Sequence, residues 1–474
     1  MKIGMISLGC PKNLVDSEVM LGLAQGQGHQ LTRDPAAADV LVVNTCAFID
    51  KAKQESIDAI LEMAEHKKTG ACTTLIVTGC LAERYRDELR ERIPEIDAVL
   101  GTGEVPEIVT VLRGSARQDP PSASGVIPLL RSTGEAIDIE SRVPGLESRR
   151  LPTYLYDADT PRLLATPRHY AYVKIAEGCD YRCSFCIIPT LRGRYRSRPM
   201  ESIVCEAESL AARGVKELLL VSQDTTFYGI DRGDRGALAR LLGALSRVDG
   251  LEWIRMLYLY PTTIGDDVLD AMAASEKICK YIDLPLQHAA DTVLRRMRRP
   301  GTGASYARLI DRIRRRLPGA ALRTTFIVGF PGETAAEFGE LEHFVGAVGF
   351  DHVGVFTYSH EEGTTAHRLP DDVPPKVKRQ RQARLMSLQK RIVATAQRQR
   401  IGRRVRLLVD GPAAEHDLVW CARLEGQAPE IDPVVYLTDC DPSALAAGAL
   451  IEADIVGSRG YDLLARPLSL TEPA

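Results

Sequence analysis

Short apolar runs alternate with stretches of helical period along most of this chain. In the first third, runs at residues 2–7, 40–44 and 75–78 lie beside amphipathic patterns at 13–26, 51–66 and 81–93, which predicts βαβαβ with a parallel sheet. From residue 170 the alternation resumes with six runs, at 170–175, 216–222, 253–258, 281–286, 323–328 and 352–358. Helical patterns such as 200–213, 237–248, 306–317 and 334–348 fall between them. Six such units predict a partial (β/α)6 barrel, whose active site would lie where strands end and βα loops begin. After residue 401 the character changes again: 405–410, 418–424, 434–437 and 451–456 are short strands divided by Gly, Pro and Asp turns, the pattern of a small antiparallel β-barrel. Between 114 and 167 periodicity fades, and seven Pro and four Gly appear. The expected fold class is therefore α/β with a small β-barrel at the end. The expected divisions are 1–113, a linker or insertion at 114–166, 167–398 and 399–469.

Length and composition agree with this division. At 474 residues, with 45% hydrophobic and 26% charged, the chain has material for about three packed domains. No apolar run approaches the roughly 18 to 20 residues of a membrane span, and the first residues lack a signal-peptide pattern, so the expected location is the cytoplasm. There the eleven cysteines would stay reduced, which favours metal or redox chemistry over disulfides. Charge is unevenly placed. Residues 376–400 hold nine Lys/Arg and no acid, read as a solvated helix face, whereas residues 401–474 hold six Arg against twelve Asp/Glu.

The chemistry sits in the cysteines. Cys179-x3-Cys183-x2-Cys186, directly after the first barrel strand, can hold three irons of a 4Fe-4S cluster on one loop. Ferredoxin-type carriers close all four positions with thiolates; here one iron is left for another ligand, and the amino and carboxylate groups of S-adenosylmethionine could chelate it. Zinc is the plainer alternative, but His169 and Cys205 complete no familiar four-ligand spacing. In the first third, each predicted strand runs into a cysteine: Cys10, Cys46 and Cys80. The carboxyl ends of parallel strands share one edge, where ligands gather, so a second cluster with an open iron is expected. Lys12 would add positive charge favouring thiolate. Cys72, Cys205, Cys279, Cys421 and Cys440 follow no such pattern and read as structural or incidental thiols.

These motifs resemble the radical S-adenosylmethionine methylthiotransferases over essentially the whole chain. Ser7-Leu-Gly-Cys-Pro-Lys-Asn-Leu-Val-Asp-Ser-Glu18, Val221-Ser-Gln-Asp-Thr-Thr-Phe-Tyr-Gly229, Asp283-Leu-Pro-Leu-Gln-His288 and Phe326-Ile-Val-Gly-Phe-Pro-Gly-Glu-Thr334 are similar to the RimO branch, which modifies ribosomal protein S twelve, more than to the tRNA-modifying MiaB branch. The resemblance implies an N-terminal methylthiotransferase domain, a radical-SAM core and a C-terminal TRAM barrel. It also implies two 4Fe-4S clusters and two molecules of S-adenosylmethionine. One is cleaved to a 5′-deoxyadenosyl radical that abstracts hydrogen from the β-carbon of an aspartate; the other supplies the methyl group, and sulfur arrives at the second cluster. The cofactors carry the hard steps. An electron donor such as flavodoxin or ferredoxin and a sulfur donor are implied as partners. Phe185 could stack on adenine or simply pack the loop. Gln223 and Asp224 could face the cofactor or cap a helix. Gly329, Gly332 and Glu333 sit at a turn where a ligand could approach the backbone. The acidic end of the chain suits a basic ribosomal protein better than RNA, and two alternatives stand beside this reading: a tRNA substrate, and an iron-sulfur electron carrier or scaffold.

Overall fold

Five parallel strands build the sheet of the first of two units into which the chain divides. They are β1 (Lys2–Ser7), β2 (Gln30–Thr32), β3 (Val40–Thr45), β4 (Thr74–Gly79) and β5 (Ala98–Leu100), in the order β2-β1-β3-β4-β5. The computed structural model describes residues 1–115, 151–413 and 416–468, without the side chains of 416–418. Strands β3 and β4 are buried at every position, the reason their apolar runs are continuous rather than alternating. Strands β2 and β5 are three residues each, too short to register as a period. The helices are α1 (Pro11–Gly26), α2 (Asp50–Thr69), α3 (Cys80–Arg84), α4 (Arg86–Arg92) and α5 (Ile108–Ser115). The single helix expected at 81–93 is two, because the backbone of Tyr85 (φ −125°, ψ 33°) leaves the helical region. By contacts Cys10–Glu18 groups with the second unit and Thr190–Arg192 with the first.

The second unit contains the six expected parallel strands: β6 (Tyr170–Lys174), β9 (Glu217–Val221), β10 (Trp253–Met256), β11 (Tyr281–Asp283), β12 (Ala321–Val328) and β13 (His352–Thr357). They pair as β10-β9-β6 and β11-β12-β13, and one bridge between Ile254 and Ile278 joins the halves. A short antiparallel pair, β7 (Ala176–Glu177) and β8 (Arg196–Ser197), brackets the cysteine loop and α6 (Ile188–Arg192). Helices α7 (Met200–Ala212), α8 (Ala237–Leu245), α9 (Asp266–Ala274), α10 (Asp291–Arg296), α11 (Gly303–Arg316) and α12 (Ala335–Val348) follow the strands. Their apolar faces, with Leu238, Leu241, Ile310 and Leu341 among them, form one continuous core with the strands. The short α9 and α10 were not legible as helical patterns.

Helix α13 (Pro375–Arg398) leads into a closed barrel of β14 (Arg404–Ala413), β15 (His416–Arg423), β16 (Val435–Leu437), β17 (Leu450–Arg459) and β18 (Asp462–Pro467). The unpredicted β18 is what closes it, pairing with both β16 and β17. The basic α13 is only partly a solvated face. Lys376, Arg379, Lys390, Arg391 and Arg398 are exposed, but Lys378 is buried against Asp371 (2.6 Å) and Arg381 against Glu333 (3.0 Å). Much of the expected linker, 116–150, lies outside the described residues. Residues 151–167 are irregular yet well anchored: Arg162 pairs with Glu18 at 2.5 Å and Glu206 at 2.6 Å.

Candidate metal and cofactor sites

The loop of Cys179, Cys183 and Cys186 follows β6 at the carboxyl edge of the half-barrel. Its shape starts at Gly178, which has φ +88° and where a Cβ would collide with Arg194 O and Gly193 O; no other residue fits. Backbone bonds then pin the loop: Cys179 N to Gly193 O (3.1 Å), Cys186 N to Cys183 O (3.1 Å) and Ser184 N to Met297 O (2.9 Å). Tyr181 stacks flat on Tyr260, with centroids 3.8 Å apart, and its hydroxyl donates to Asp224 Oδ2 at 2.9 Å. Arg299 Nη1 reaches Cys183 Sγ at 3.7 Å, and its guanidinium lies 3.9 Å over the Tyr260 ring. Burial pushes the Cys179 thiol up to about 12 and Cys186 higher still, so these two thiols, when free, hold their protons. Three soft sulfur donors on a half-buried loop beside a fixed cation fit an iron-sulfur cluster, whose irons would displace those protons. Among the described residues no three His, Cys, Asp or Glu side chains converge on a single-ion position; a cubane, with one iron per cysteine, needs no such convergence.

Around this loop the other expected residues fall as follows. Phe185 is half-buried and packs with Val293, Met297, Phe330 and Tyr358. Gln223 Nε2 donates to Glu177 Oε1 at 2.5 Å, and Glu177 in turn pairs with Lys174, which also pairs with Asp16. Asp224 is buried and caps the turn after β9, accepting from Thr226 N (2.9 Å) and Phe227 N (3.2 Å). Gly329 and Gly332 take φ of +74° and +73° in the turn after β12. The carboxylate of Glu333 folds back onto this turn: Oε2 accepts from Gly329 N (2.5 Å) and Phe330 N (3.1 Å), and Oε1 from Arg381 Nη1. Glu333 therefore shapes the turn rather than offering a free carboxylate.

In the first unit, β1, β3 and β4 lie side by side in register, Ser7 opposite Asn44 and Asn44 opposite Thr78. Cys46 and Cys80 follow β3 and β4 directly, and Cys10 comes three residues after β1. Gly79 (φ +93°) lets β4 end against β3, because a Cβ there would strike Asn44 Oδ1 and the Thr45 backbone. Ser56 of α2 clamps Cys46, donating to its carbonyl (3.0 Å) and accepting from its N–H (2.9 Å). Arg192 Nη2 reaches Cys80 Sγ at 3.6 Å. Lys12 donates to Ser222 O at 3.2 Å and lies 3.3 Å over the Tyr258 ring. Tyr181 lies inside the cysteine motif and was open to sequence reasoning. Arg299, Arg192 and Tyr260 carried no signal, since each is far in sequence from the cysteine it lies beside, and Ser56, ten residues from Cys46, belongs to no motif.

Fold and cysteine loop together place the chain in the radical S-adenosylmethionine class, with a parallel sheet domain before the half-barrel and a small β-barrel after it. Comparison with known proteins agrees. The family described as Uncharacterized protein family UPF0004 matches residues 2–101, the Radical SAM superfamily 173–345, and the TRAM domain 401–468. The chain is 48% identical over 476 residues to "Ribosomal protein uS12 methylthiotransferase RimO" of Solibacter usitatus, covering 100% of this chain and 96% of the relative. It is 47% identical over 487 residues to the protein of the same name from Koribacter versatilis, covering 98% and 96%. With such similarity over full length, the chain belongs to the RimO family of ribosomal protein uS12 methylthiotransferases. Among solved structures, the radical S-adenosylmethionine methyltransferase TsrM from Kitasatospora setae superposes with a TM-score of 0.51 at 17% identity, covering 75% of this chain and 72% of that one, which shows the fold alone.

Proposed function

We propose that the protein methylthiolates the β-carbon of an aspartate in ribosomal protein uS12, in the cytoplasm, using two 4Fe-4S clusters and two molecules of S-adenosylmethionine. A flavodoxin- or ferredoxin-like protein would donate electrons, and a separate donor would supply sulfur. The observation that carries this reading is the set of three thiols, Cys179, Cys183 and Cys186, fixed on one loop at the carboxyl edge of the half-barrel in a chain of this family. In this reading Cys10, Cys46 and Cys80 hold the second cluster. When bound, the clusters and S-adenosylmethionine supply the one-electron chemistry, the sulfur and the methyl group. The chain supplies position. Tyr181, stacked on Tyr260 and bonded to Asp224, braces the cysteine loop against β9. Gln223, held through Glu177 and Lys174, keeps a polar side chain at the same edge. Gly329, Gly332 and Glu333 form the turn against which the nucleoside would lie, and Phe185 offers an aromatic face beside the last cysteine.

The test is direct. Anaerobically reconstituted protein, given a reductant and S-adenosylmethionine, should form 5′-deoxyadenosine and methionine; none from fully loaded protein would contradict the proposal. Cys183→Ala should abolish that cleavage. Cys46→Ala should keep it but leave uS12 without a methylthio group by mass spectrometry. With uS12 and unmodified tRNA offered together, modification of tRNA alone would overturn the choice of substrate.

A further inference from the structure

Arg299 is a buried cation without an anion. Its side chain is 8% exposed as part of the residue, and among the described residues no carboxylate pairs with it. Its Nε has no partner, Nη2 donates to the carbonyl of Pro285 at 2.5 Å, and Nη1 points at Cys183 Sγ. An arginine does not shed its charge, and burying one unpaired costs several kcal/mol by the usual order of magnitude. Among the described residues the sulfur its Nη1 meets is that of Cys183, which as a cluster ligand would be a thiolate. The setting is rigid: the guanidinium lies over Tyr260, which stacks on Tyr181 of the cysteine loop, and Arg299 N bonds to Leu294 O at 2.9 Å.

We propose that Arg299 sets the reduction potential of the cluster on Cys179, Cys183 and Cys186, raising it by its charge and by the N–H···S bond to Cys183. This rests on the cluster assignment made above. The step concerned is uptake of one electron from a low-potential one-electron donor, with no proton and no bond made or broken. The cluster gains one negative charge, and a fixed cation in a low-dielectric pocket stabilises that state more than the oxidised one. A hydrogen bond to the thiolate acts in the same direction, because the cluster's net charge and bonds to its sulfurs set its potential. Arg299 is thus a positioning and tuning residue, not one that touches the reacting carbon.

The experiment uses the full chain with Cys10, Cys46 and Cys80 changed to Ala, so that one cluster remains. It is reconstituted and titrated potentiometrically by electron paramagnetic resonance, without S-adenosylmethionine so that no contact to that ligand enters. In this background Arg299→Met should lower the reduced-to-oxidised ratio at a fixed potential at least tenfold, which for one electron is 59 mV. Arg299→Lys, which keeps the charge, should stay within about threefold of the parent. A loaded Arg299→Met protein that titrates like the parent overturns the proposal, as does Arg299→Lys falling as far as Arg299→Met. Should Arg299→Met not take up iron, Arg299→Gln replaces it, and a parental potential there also overturns the proposal. If the parent itself binds no iron and sulfide, the cluster assignment fails and this inference with it. Loading with coincident potentials removes this inference alone.

Discussion

His288 shows how one buried residue ties the glycine turn after β12 to the stability of the protein. It is fully buried, its Nδ1 accepts from Ala290 N at 3.0 Å, and its Nε2 stands 3.9 Å from Glu333 Oε2 without a hydrogen-bond partner. Burial pushes its pKa down to about 3, against an ordinary value near 6.5, with Arg296 and Arg381 adding to the effect. Between those values the unfolded chain binds a proton that the folded one does not. Stability is therefore full above about pH 6.5 and falls as pH drops toward 3, by up to roughly 1.4 kcal/mol per pH unit. His288→Asn should lose that part of the acid sensitivity, measured as a flatter dependence of the urea midpoint on pH than wild type between pH 4 and 6.5. Glu333 does not bond the imidazole, because its carboxylate is already committed to Gly329, Phe330 and Arg381.

The segment from β12 through the glycine turn into α12 is an element whose sequence states its own structure. An apolar strand ends at Val328, Gly329-Phe-Pro-Gly332 turns the chain, and Thr334-Ala-Ala-Glu337 is a capping box. Thr334 Oγ1 accepts from Glu337 N at 3.2 Å, and Glu337 Oε2 accepts from Thr334 N at 2.7 Å. Glu337 also accepts from Arg296 at 3.1 Å, so the cap fastens α10 to the start of α12 beneath the turn. Thr334→Ala should cost about 1 kcal/mol, seen as a lower urea midpoint with an unchanged slope. By contrast, β18 has a pattern no clearer than its flanking loops, and its place follows from the barrel it completes.

For the molecule as a whole, placement decides what charge counting leaves open. The twelve acids after residue 401 suggested a surface for a basic partner, yet several are spent inside the second unit. Glu430 accepts from Tyr170 (2.8 Å) and Tyr172 (3.2 Å), and Asp432 from Tyr281 (2.6 Å) and Arg323 (3.2 Å). Asp410 binds Arg423, whose other arm meets the fully buried Glu217 at 2.6 Å, and Glu217 also holds Arg255 at 2.7 Å. These contacts lie toward the amino ends of the half-barrel strands, away from the cysteine loop at the carboxyl ends. The small barrel thus closes the base of the half-barrel, and the substrate assignment rests on family membership rather than on net charge. Arg423→Met would leave Glu217 and Asp410 short of a partner in a buried place, at a cost of about 3 to 5 kcal/mol. The expected result is a lower melting temperature and faster proteolytic release of the terminal barrel; an unchanged melt would show that the network contributes little.

What could be read from the chain alone was whatever is local or periodic. The spacing of Cys179, Cys183 and Cys186 lies within eight residues, the strand and helix alternation within twenty, and the capping box within four. Spacing and period report which side of an element is buried, so the six barrel strands and the strand-end positions of Cys46 and Cys80 were legible. They do not report what lies across from it. Arg299 reaches Cys183 from 116 residues away and Arg192 reaches Cys80 from 112, and the structure alone pairs them. The same holds for Lys378 and Arg381, counted as surface charge until packing buried them. Local sequence sets the shape of each element, while the environment of a buried charge depends on chain folding that brings distant residues within a few ångströms, and the electrostatics of the cysteine loop belongs to that second kind.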